Sequence, residues 1–511
     1  MLVKLIMLLV FFGIMIGVGV ASRKHASNVN DFVLGGRNVG PWLTAFAYGT
    51  SYFSAVVFVG YAGQFGWKYG LSSTWIGLGN AFLGSLLAWV VLGRRTRIMT
   101  HHLSAATMPD FFGKRFDSNA LRIAASAIVF IFLIPYTASL YNGLSRLFGM
   151  SFDIPYTVCV ILMATLTGVY VILGGYMATA INDFIQGIIM IFGIIAVILA
   201  VLNGQGGFME AVGKLAEIPS DIPVTMGQPG AFTSFFGPDP VNLLGVIILT
   251  SLGTWGLPQM VHKFYTIKSE KAVKTGTVIS TFFAVIISGG CYFLGGFGRL
   301  FDNPDIYKAD GSIIYDGIIP SMLSTLPDIL IGIVVILVLS ASMSTLSSLV
   351  LTSSSTLTLD FIKGNVVKDL SDKKQLLVMR VLIVFFIAIS VILALNPPTF
   401  IAQLMGISWG ALAGAFLAPF LYGLFWKGTT KLAVWASFIV GVGITVANMF
   451  IKFIASPINA GAVAMVAGLV VVPVVSLLTP KMEQKKVDKI FSCYDEEVQV
   501  KRKVALPDKE E

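Results

Sequence analysis

The stretches GTSYFSA (49–55) and TSLGTWGLP (250–258) interrupt two apolar segments, residues 41–63 and 241–262, with small and polar residues. Each segment is long enough to cross a bilayer, so each is predicted to be a transmembrane helix that is broken midway. A broken helix frees backbone polar groups, and in hydrocarbon these are tolerated only inside protein or beside a wet cavity. The two breaks therefore predict a buried polar site within the membrane.

The composition indicates a membrane protein. Of 511 residues, 56% are hydrophobic and only 12% are charged, with a mean hydropathy of +0.84, whereas about 25% of the residues of soluble domains are charged. We therefore predict an all-α polytopic membrane protein. Its apolar runs predict about thirteen transmembrane helices, at 2–21, 41–63, 71–92, 121–150, 154–173, 180–201, 241–262, 275–298, 329–359, 376–395, 398–426, 432–454 and 461–478.

The basic residues predict the orientation. Most of the 35 Lys and Arg residues fall on one side of these helices, and the positive-inside rule makes that side cytoplasmic. The other side holds only Lys4, Lys68, Arg146, Lys214, Arg299, Lys308 and Lys452. This predicts a plasma-membrane protein with its N-terminus outside and its C-terminus in the cytoplasm. Topology explains the net charge of +9, so no nucleic-acid partner is expected, and the basic stretches 94–97 and 263–274 are interpreted as lipid-headgroup anchors.

Broken helices at matching places in two halves of a chain are typical of secondary transporters. A channel or receptor is the weaker alternative, because no four-fold filter motif and no signalling domain is visible. An enzyme is not expected, and no catalytic residue is assigned, because the sequence has no HExxH motif. The four histidines, His25, His101, His102 and His262, are expected to be solvated residues at loop edges.

Polar residues within the predicted spans are candidates for function, because such groups are costly in hydrocarbon. Asp183 lies near the cytoplasmic end of its helix, where it either complements the helix dipole or belongs to an ion site. In the ninth span one helix face carries Ser344, Ser347, Ser348 and Thr352, with Thr345 at its edge. Such a face serves either to pack helices together or to supply neutral oxygen ligands for a small cation.

Four stretches, in this order, resemble the sodium:solute symporter family. They are DFVLGGRNVGPWLTAFAYGTSYFSAVVFVGYAG (31–63), TMPDFFGKRF (107–116), ILGGYMATAINDFIQG (172–187) and LSASMSTLSSLVLTSSS (339–355). The resemblance implies a leucine-transporter-type fold, in which inverted five-helix repeats with two discontinuous helices follow one extra helix. It divides the chain into an extra N-terminal helix with a cytoplasmic loop (1–40), a first inverted repeat (41–201), an extracellular loop (202–240), a second inverted repeat (241–426), peripheral helices (427–480) and a cytoplasmic tail (481–511).

The resemblance also implies binding sites, with Na⁺ as the coupling ion. The common sodium site would use the backbone carbonyls of Thr50, Phe53 and Ala341 and the hydroxyls of Ser344 and Thr345. A second sodium site, found in some members, would use Asp183, Ser344, Ser347 and Ser348. The solute would contact Tyr52, Ser54, Asn80, Tyr136, Thr254, Trp255, Pro258 and Gln403.

The function that this resemblance implies is Na⁺-coupled symport of a small polar organic solute by alternating access, carried out by a monomer in the lipid bilayer. The solute is expected to be a monocarboxylate, an amino acid, a pantothenate-like acid or a sugar. In members that carry proline, the positions of Tyr52 and Thr254 hold aspartate and tyrosine, which argues against proline here. A proton-coupled symporter of the same fold, with Asp183 as the proton site, is the alternative.

Overall fold

The computed structural model describes residues 2–152, 155–324, 326–363, 365–367, 370–396 and 401–495. In these ranges the chain forms helices and no strand, with three isolated bridges at Val39↔Ile267, Tyr307↔Ile313 and Lys363↔Val367. The first ten helices are α1 (Leu2–Ala21), α2 (Val29–Leu34), α3 (Pro41–Tyr52), α4 (Ala62–Tyr69), α5 (Thr74–Gly79), α6 (Arg94–His102), α7 (Met108–Arg115), α8 (Asn119–Phe152), α9 (Tyr156–Gly204) and α10 (Phe208–Glu217).

The second half of the chain continues in the same manner. Its helices are α11 (Pro240–Gly256), α12 (Pro258–Thr266), α13 (Glu270–Ala284), α14 (Gly290–Gly295), α15 (Tyr315–Ser324), α16 (Asp328–Thr356), α17 (Asp372–Leu395), α18 (Ile401–Phe425), α19 (Lys431–Ile451), α20 (Pro457–Leu478) and α21 (Gln484–Phe491). Segments of π-helix lie at Val56–Tyr61, Asn80–Leu87, Trp89–Gly93, Val285–Gly289 and Leu357–Ile362, and 3₁₀ turns lie at Ser22–His25, Gly35–Arg37, Gly70–Ser73, Pro223–Thr225, Ala231–Thr233, Gly298–Phe301, Pro304–Ile306 and Ser492–Tyr494.

The helix lengths confirm an all-α polytopic membrane protein. Ten helices in the described ranges are long and apolar enough to cross a membrane, and the pair α11 and α12 makes an eleventh. Two of the ten, Val56–His102 with 47 residues and Tyr156–Gly204 with 49, exceed the roughly 20 residues that one crossing needs. The predicted count of thirteen is reached only if each of these two crosses twice. That count and the predicted repeat boundaries stay predictions.

The first broken helix consists of α3 and the helical segment that begins at Val56. After α3 ends at Tyr52, Phe53 adopts an extended backbone with φ −106° and ψ 93°. Ser54 then restarts the helix, because its carbonyl accepts two backbone amides at 3.0 and 3.1 Å and its hydroxyl accepts the amide of Val56 at 3.2 Å. The interruption predicted at 49–55 is confirmed, and it is only a few residues long.

The second broken helix consists of α11 and α12, which are bent by 45° at their junction. Leu257 between them is extended, with φ −82° and ψ 121°. Pro258 opens α12, a position that suits proline because the first amides of a helix have no partner within it. The hydroxyl of Tyr52 donates to the carbonyl of Thr250 and so joins the two broken helices.

The two spans predicted at 154–173 and 180–201 both lie within α9, on either side of a kink. The helix is interrupted at a single residue, Gly175, whose φ is +53° and ψ −145°. A Cβ atom there would lie 2.8 Å from the carbonyl oxygen of Phe32. Both the positive φ and the close approach of the α2 backbone therefore require glycine at this position.

The helix at the start of the predicted cytoplasmic tail, α21, docks on the helical bundle. The buried guanidinium of Arg115 lies 4.9 Å from the ring centroids of both Phe116 and Phe491. The same guanidinium donates to the carbonyl of Gly423 at 2.9 Å. One arginine thus ties together α7, the end of α18 and the tail helix.

The close packing of α4 against α14 gives a first testable prediction. A Cβ atom at Gly66 would lie 1.9 Å from the carbonyl oxygen of Gly295, a backbone atom that cannot rotate away. We expect Gly66→Ala to lower the free energy of unfolding by about 1–3 kcal/mol, which is typical of overpacking. The measurement is the thermal unfolding midpoint in detergent. The control is Gly443→Ala in α19, where nothing lies within 4 Å, and equal midpoints for the two variants would contradict this packing.

Candidate functional site

Two hydroxyls of α16 face the end of α3. Oγ of Ser344 and Oγ1 of Thr345 each lie 3.1 Å from the carbonyl oxygen of Thr50, and 3.2 and 3.1 Å from that of Ala341. All four residues are buried. Neutral oxygens from a broken helix and its neighbour are suitable ligands for Na⁺. The structure thus brings together four of the five residues predicted for the common sodium site.

The fifth residue, Phe53, has no hydrogen bond to this cluster in the described part of the chain. Its amide donates to the carbonyl of Gly49 at 3.0 Å. Its ring stacks on Tyr52, with centroids 4.2 Å apart and planes inclined by 20°. A role for the Phe53 carbonyl as a sodium ligand stays a prediction.

Lys263 lies beside residues predicted for the second sodium site. Its ammonium nitrogen is 3.9 Å from Oδ2 of Asp183 and donates to Oγ of Ser348 at 3.0 Å. Oγ of Ser348 in turn lies 2.8 Å from Oγ of Ser51. The interpretation of Lys263 as a lipid-headgroup anchor is therefore wrong: its side chain is 2% exposed, because α12 carries it into the interior of the bundle.

The neighbouring His262 also lies elsewhere than predicted. It was expected at a solvated loop edge, but it is 9% exposed and packs against the rings of Tyr176 and Tyr265 at 5.5 and 5.8 Å. Gln259, one turn earlier in α12, is buried, and its side-chain amide makes no hydrogen bond among the described residues. Gln259 was not predicted, and it is a further polar group near the second break.

The remaining residues of the second sodium site make few contacts. The hydroxyl of Ser347 donates to the carbonyl of Ser344 within α16, at 2.9 Å. Neither carboxylate oxygen of Asp183 accepts a hydrogen bond from the residues that the structure describes. The second sodium site stays a prediction, with an ammonium group in contact with two of its four residues.

One group of predicted solute residues forms an aromatic wall with Trp409 of α18. The ring centroids of Tyr52 and Tyr136 lie 6.0 and 5.9 Å from that of Trp409. Ser54 is next to them in the break of the first helix. Trp409 was not predicted, since a tryptophan in an apolar span resembles an ordinary packing residue.

Trp409 lies in the stretch GISWG (406–410), which matches the hydrolase motif GxSxG. This stretch is continuous helix, however, and lacks the strand-to-helix turn of a hydrolase nucleophile.

The other predicted solute residues hold helices together. The hydroxyl of Thr254 donates to the carbonyl of Gly84 at 3.0 Å, and the indole N–H of Trp255 donates to that of Leu83 at 3.0 Å. The side-chain amide of Asn80 lies between two serine hydroxyls, of Ser251 and Ser288, at 3.1 Å each. Solute contact through Asn80, Thr254, Trp255 and Pro258 stays a prediction.

A cavity of about 630 Å³ lies where α4 ends and α11 begins, on the side predicted to be extracellular. Its wall includes Gln64, Lys68, Asp239, Asn242, Val246 and Gln403. Val246 is one helical turn before Thr250, and the hydroxyl of Thr250 donates to the carbonyl of Val246 at 2.8 Å. The cavity therefore reaches within one turn of the Tyr52–Thr250 hydrogen bond, and the predicted solute residue Gln403 lines its wall.

Comparison with known proteins agrees with this geometry. The model of the sodium:solute symporter family matches residues 32–441. The chain belongs to the sodium:solute symporter family. The symporter is 30% identical over 504 residues to the sodium/proline symporters of Staphylococcus aureus strains JH9 and USA300, with 94% of this chain and 93% of the relative covered.

Solved structures share the fold at lower identity. A Na⁺-coupled sialic acid symporter in a substrate-bound outward-open state matches with a TM-score of 0.77 and 19% identity, covering 94% of this chain and 98% of that one. A nucleobase-cation-symport-1 family transporter in a closed conformation matches with a TM-score of 0.50 and 12% identity, covering 90% and 98%. The predicted fold class is confirmed. Membership of the family also confirms a multi-pass transporter, not an enzyme, that couples transport of a small organic solute to Na⁺.

The oxygen cluster gives a second testable prediction. Ser344→Ala and Thr345→Ala each remove one oxygen from it, and we expect each to raise the Na⁺ concentration for half-maximal transport roughly tenfold, equivalent to about 1.4 kcal/mol. Ser342→Ala is the matched control, because among the described residues that buried hydroxyl bonds only to the carbonyl of Val338 in its own helix, at 2.7 Å. If these hydroxyls only packed helices, each loss would cost about 0.6 kcal/mol of stability and leave the sodium dependence unchanged.

Proposed function

We propose that the symporter takes up a small carboxylate-bearing solute together with one Na⁺ held by Thr50, Ala341, Ser344 and Thr345. The observation that carries this proposal is the convergence of four buried oxygens from α3 and α16 at the first break. Na⁺ supplies the driving force, because one positive charge that crosses about 100 mV yields roughly 2.3 kcal/mol.

The same residues couple the ion to the solute. In the structure, the hydroxyls of Ser344 and Thr345 direct their protons at the carbonyls of Thr50 and Ala341. To bind a cation, these hydroxyls must turn their protons away so that the oxygens face the ion. The adjustment acts on the last turn of α3, where Tyr52 follows Thr50 by two residues. The proposed sodium site and the proposed solute site therefore share the last turn of α3, through Thr50 and Tyr52.

The chemistry of the proposed solute site favours a small carboxylate with an apolar part. The rings of Tyr52, Tyr136 and Trp409 offer an apolar surface, and none of the eight predicted solute residues is charged. The N-terminal end of α12 carries a partial positive charge suited to a carboxylate. The relatives named as sodium/proline symporters support an amino acid, while Tyr52 and Thr254 favour an amino acid other than proline, a monocarboxylate or a pantothenate-like acid.

A screen of solutes with Na⁺ or K⁺ tests this function. We expect small carboxylates to raise the thermal unfolding midpoint of the purified symporter in Na⁺ and not in K⁺, because a bound ligand stabilises the folded state. In proteoliposomes, the stabilising solute should accumulate only with an inward Na⁺ gradient. Accumulation driven by a proton gradient without Na⁺ would contradict the coupling ion. Stabilisation by sugars alone would contradict the solute class.

Replacement of Trp409 tests the position of the solute. We expect Trp409→Leu to raise the KM for the solute found in this screen about tenfold or more, because one side of the aromatic wall is lost. Na⁺ binding without solute should be unchanged. Trp435→Leu in α19, whose ring instead packs against Phe438, is the control and should keep the KM. Equal KM values for wild type and Trp409→Leu would remove this wall from the solute site.

A further inference from the structure

A pair of opposite charges is buried in the part of the symporter that spans the membrane. Asp183 of α9 is 0% exposed and Lys263 of α12 is 2% exposed, and the closest nitrogen and oxygen atoms are 3.9 Å apart. Charged groups within membrane-spanning segments are costly and mark functional positions. The common sodium site uses neither residue.

The surroundings of the Lys263 ammonium resemble a binding site for a monovalent cation. Oγ of Ser348 accepts its hydrogen bond at 3.0 Å, the Asp183 carboxylate supplies a negative charge, and the ring centroid of Tyr176 lies 5.3 Å away. A carboxylate and a hydroxyl are oxygen ligands, and an aromatic face attracts cations. Asp183 and Ser348 are also two of the four residues predicted to hold a second Na⁺.

We propose that the ammonium group of Lys263 is a permanent cation in this second site, so that the symporter binds one Na⁺ and not two. This rests on the proposed sodium site at Thr50, Ala341, Ser344 and Thr345. A Na⁺ ion beside Asp183 would lie in contact distance of the ammonium. Among the described residues, Asp183 is the single acidic partner of Lys263, and one carboxylate compensates only one of two positive charges.

The two cation sites are neighbours along the same helices. Ser51, which contacts Ser348 at 2.8 Å, follows Thr50 directly in α3. Ser348 lies one turn after Ser344 in α16. The chain of contacts Ser51, Ser348 and Lys263 therefore connects the proposed sodium site of the first broken helix to α12 of the second.

Counting bound Na⁺ tests this proposal without knowledge of the solute. The purified symporter is equilibrated with radioactive Na⁺, with choline keeping the ionic strength constant, and thermal unfolding midpoints are recorded against Na⁺ concentration. We expect one Na⁺ per wild-type molecule and two per Lys263→Met molecule, because methionine keeps the length of the side chain and removes its charge. Lys263→Arg should bind one. The exposed Lys271→Met is the matched control and should also bind one.

The double variant Lys263→Met/Asp183→Asn should return to one Na⁺, since the carboxylate that would hold the additional ion is gone. Asp183→Asn alone should keep one Na⁺ with unchanged affinity. Two Na⁺ per wild-type molecule, or a folded Lys263→Met variant with only one, would overturn the proposal. If Lys263→Met does not fold, a lower Na⁺ count in Asp183→Asn overturns it and an unchanged count of one supports it. No Na⁺ bound by wild type would instead contradict the proposed sodium site.

Discussion

Backbone polar groups must find partners in hydrocarbon, and the architecture depends on how this is done at two helix breaks. At the first break the carbonyl of Thr50 faces two hydroxyls of α16. At the same break the hydroxyl of Tyr52 donates to the carbonyl of Thr250 inside α11, the helix that leads to the second break at Leu257. A carbonyl that needs a donor is also a carbonyl that can bind a cation. The break therefore serves stability and ion binding with the same atoms, and the surrounding helices position the donors.

The buried pair of Asp183 and Lys263 places a second constraint beside the first. Removal of one partner from a buried ion pair leaves an uncompensated charge, which typically costs 3–5 kcal/mol. The pair joins α9 to α12, and Ser348 joins it to α16. A cation that belongs to the chain does not dissociate during the cycle, so it holds these three helices together without contributing to the driving force.

Local sequence was sufficient to predict the features that depend on neighbouring residues. The breaks at Phe53 and Leu257 follow from clusters of small and polar residues, and the hydroxyl face of α16 follows from helical spacing. Lys263 was misread because it ends an apolar run and opens the basic stretch 263–274, so that charge counting assigned it to the cytoplasmic surface. Its burial comes from the packing of α12, all of whose residues are buried in the bundle, and this is a tertiary property. The partnership of Trp409 with two tyrosines is likewise a contact between distant helices.

The network around Lys263 also affects how the protein is made. Two serines of this network, Ser51 and Ser348, are 297 residues apart in the sequence. At about 5–20 residues per second, a ribosome needs roughly 15 s or more to synthesise that length. During this interval Asp183 has entered the membrane before its counter-charge on Lys263 has been synthesised. The network is complete only once α16, which carries Ser348, has been synthesised, while α17 to α21 still follow.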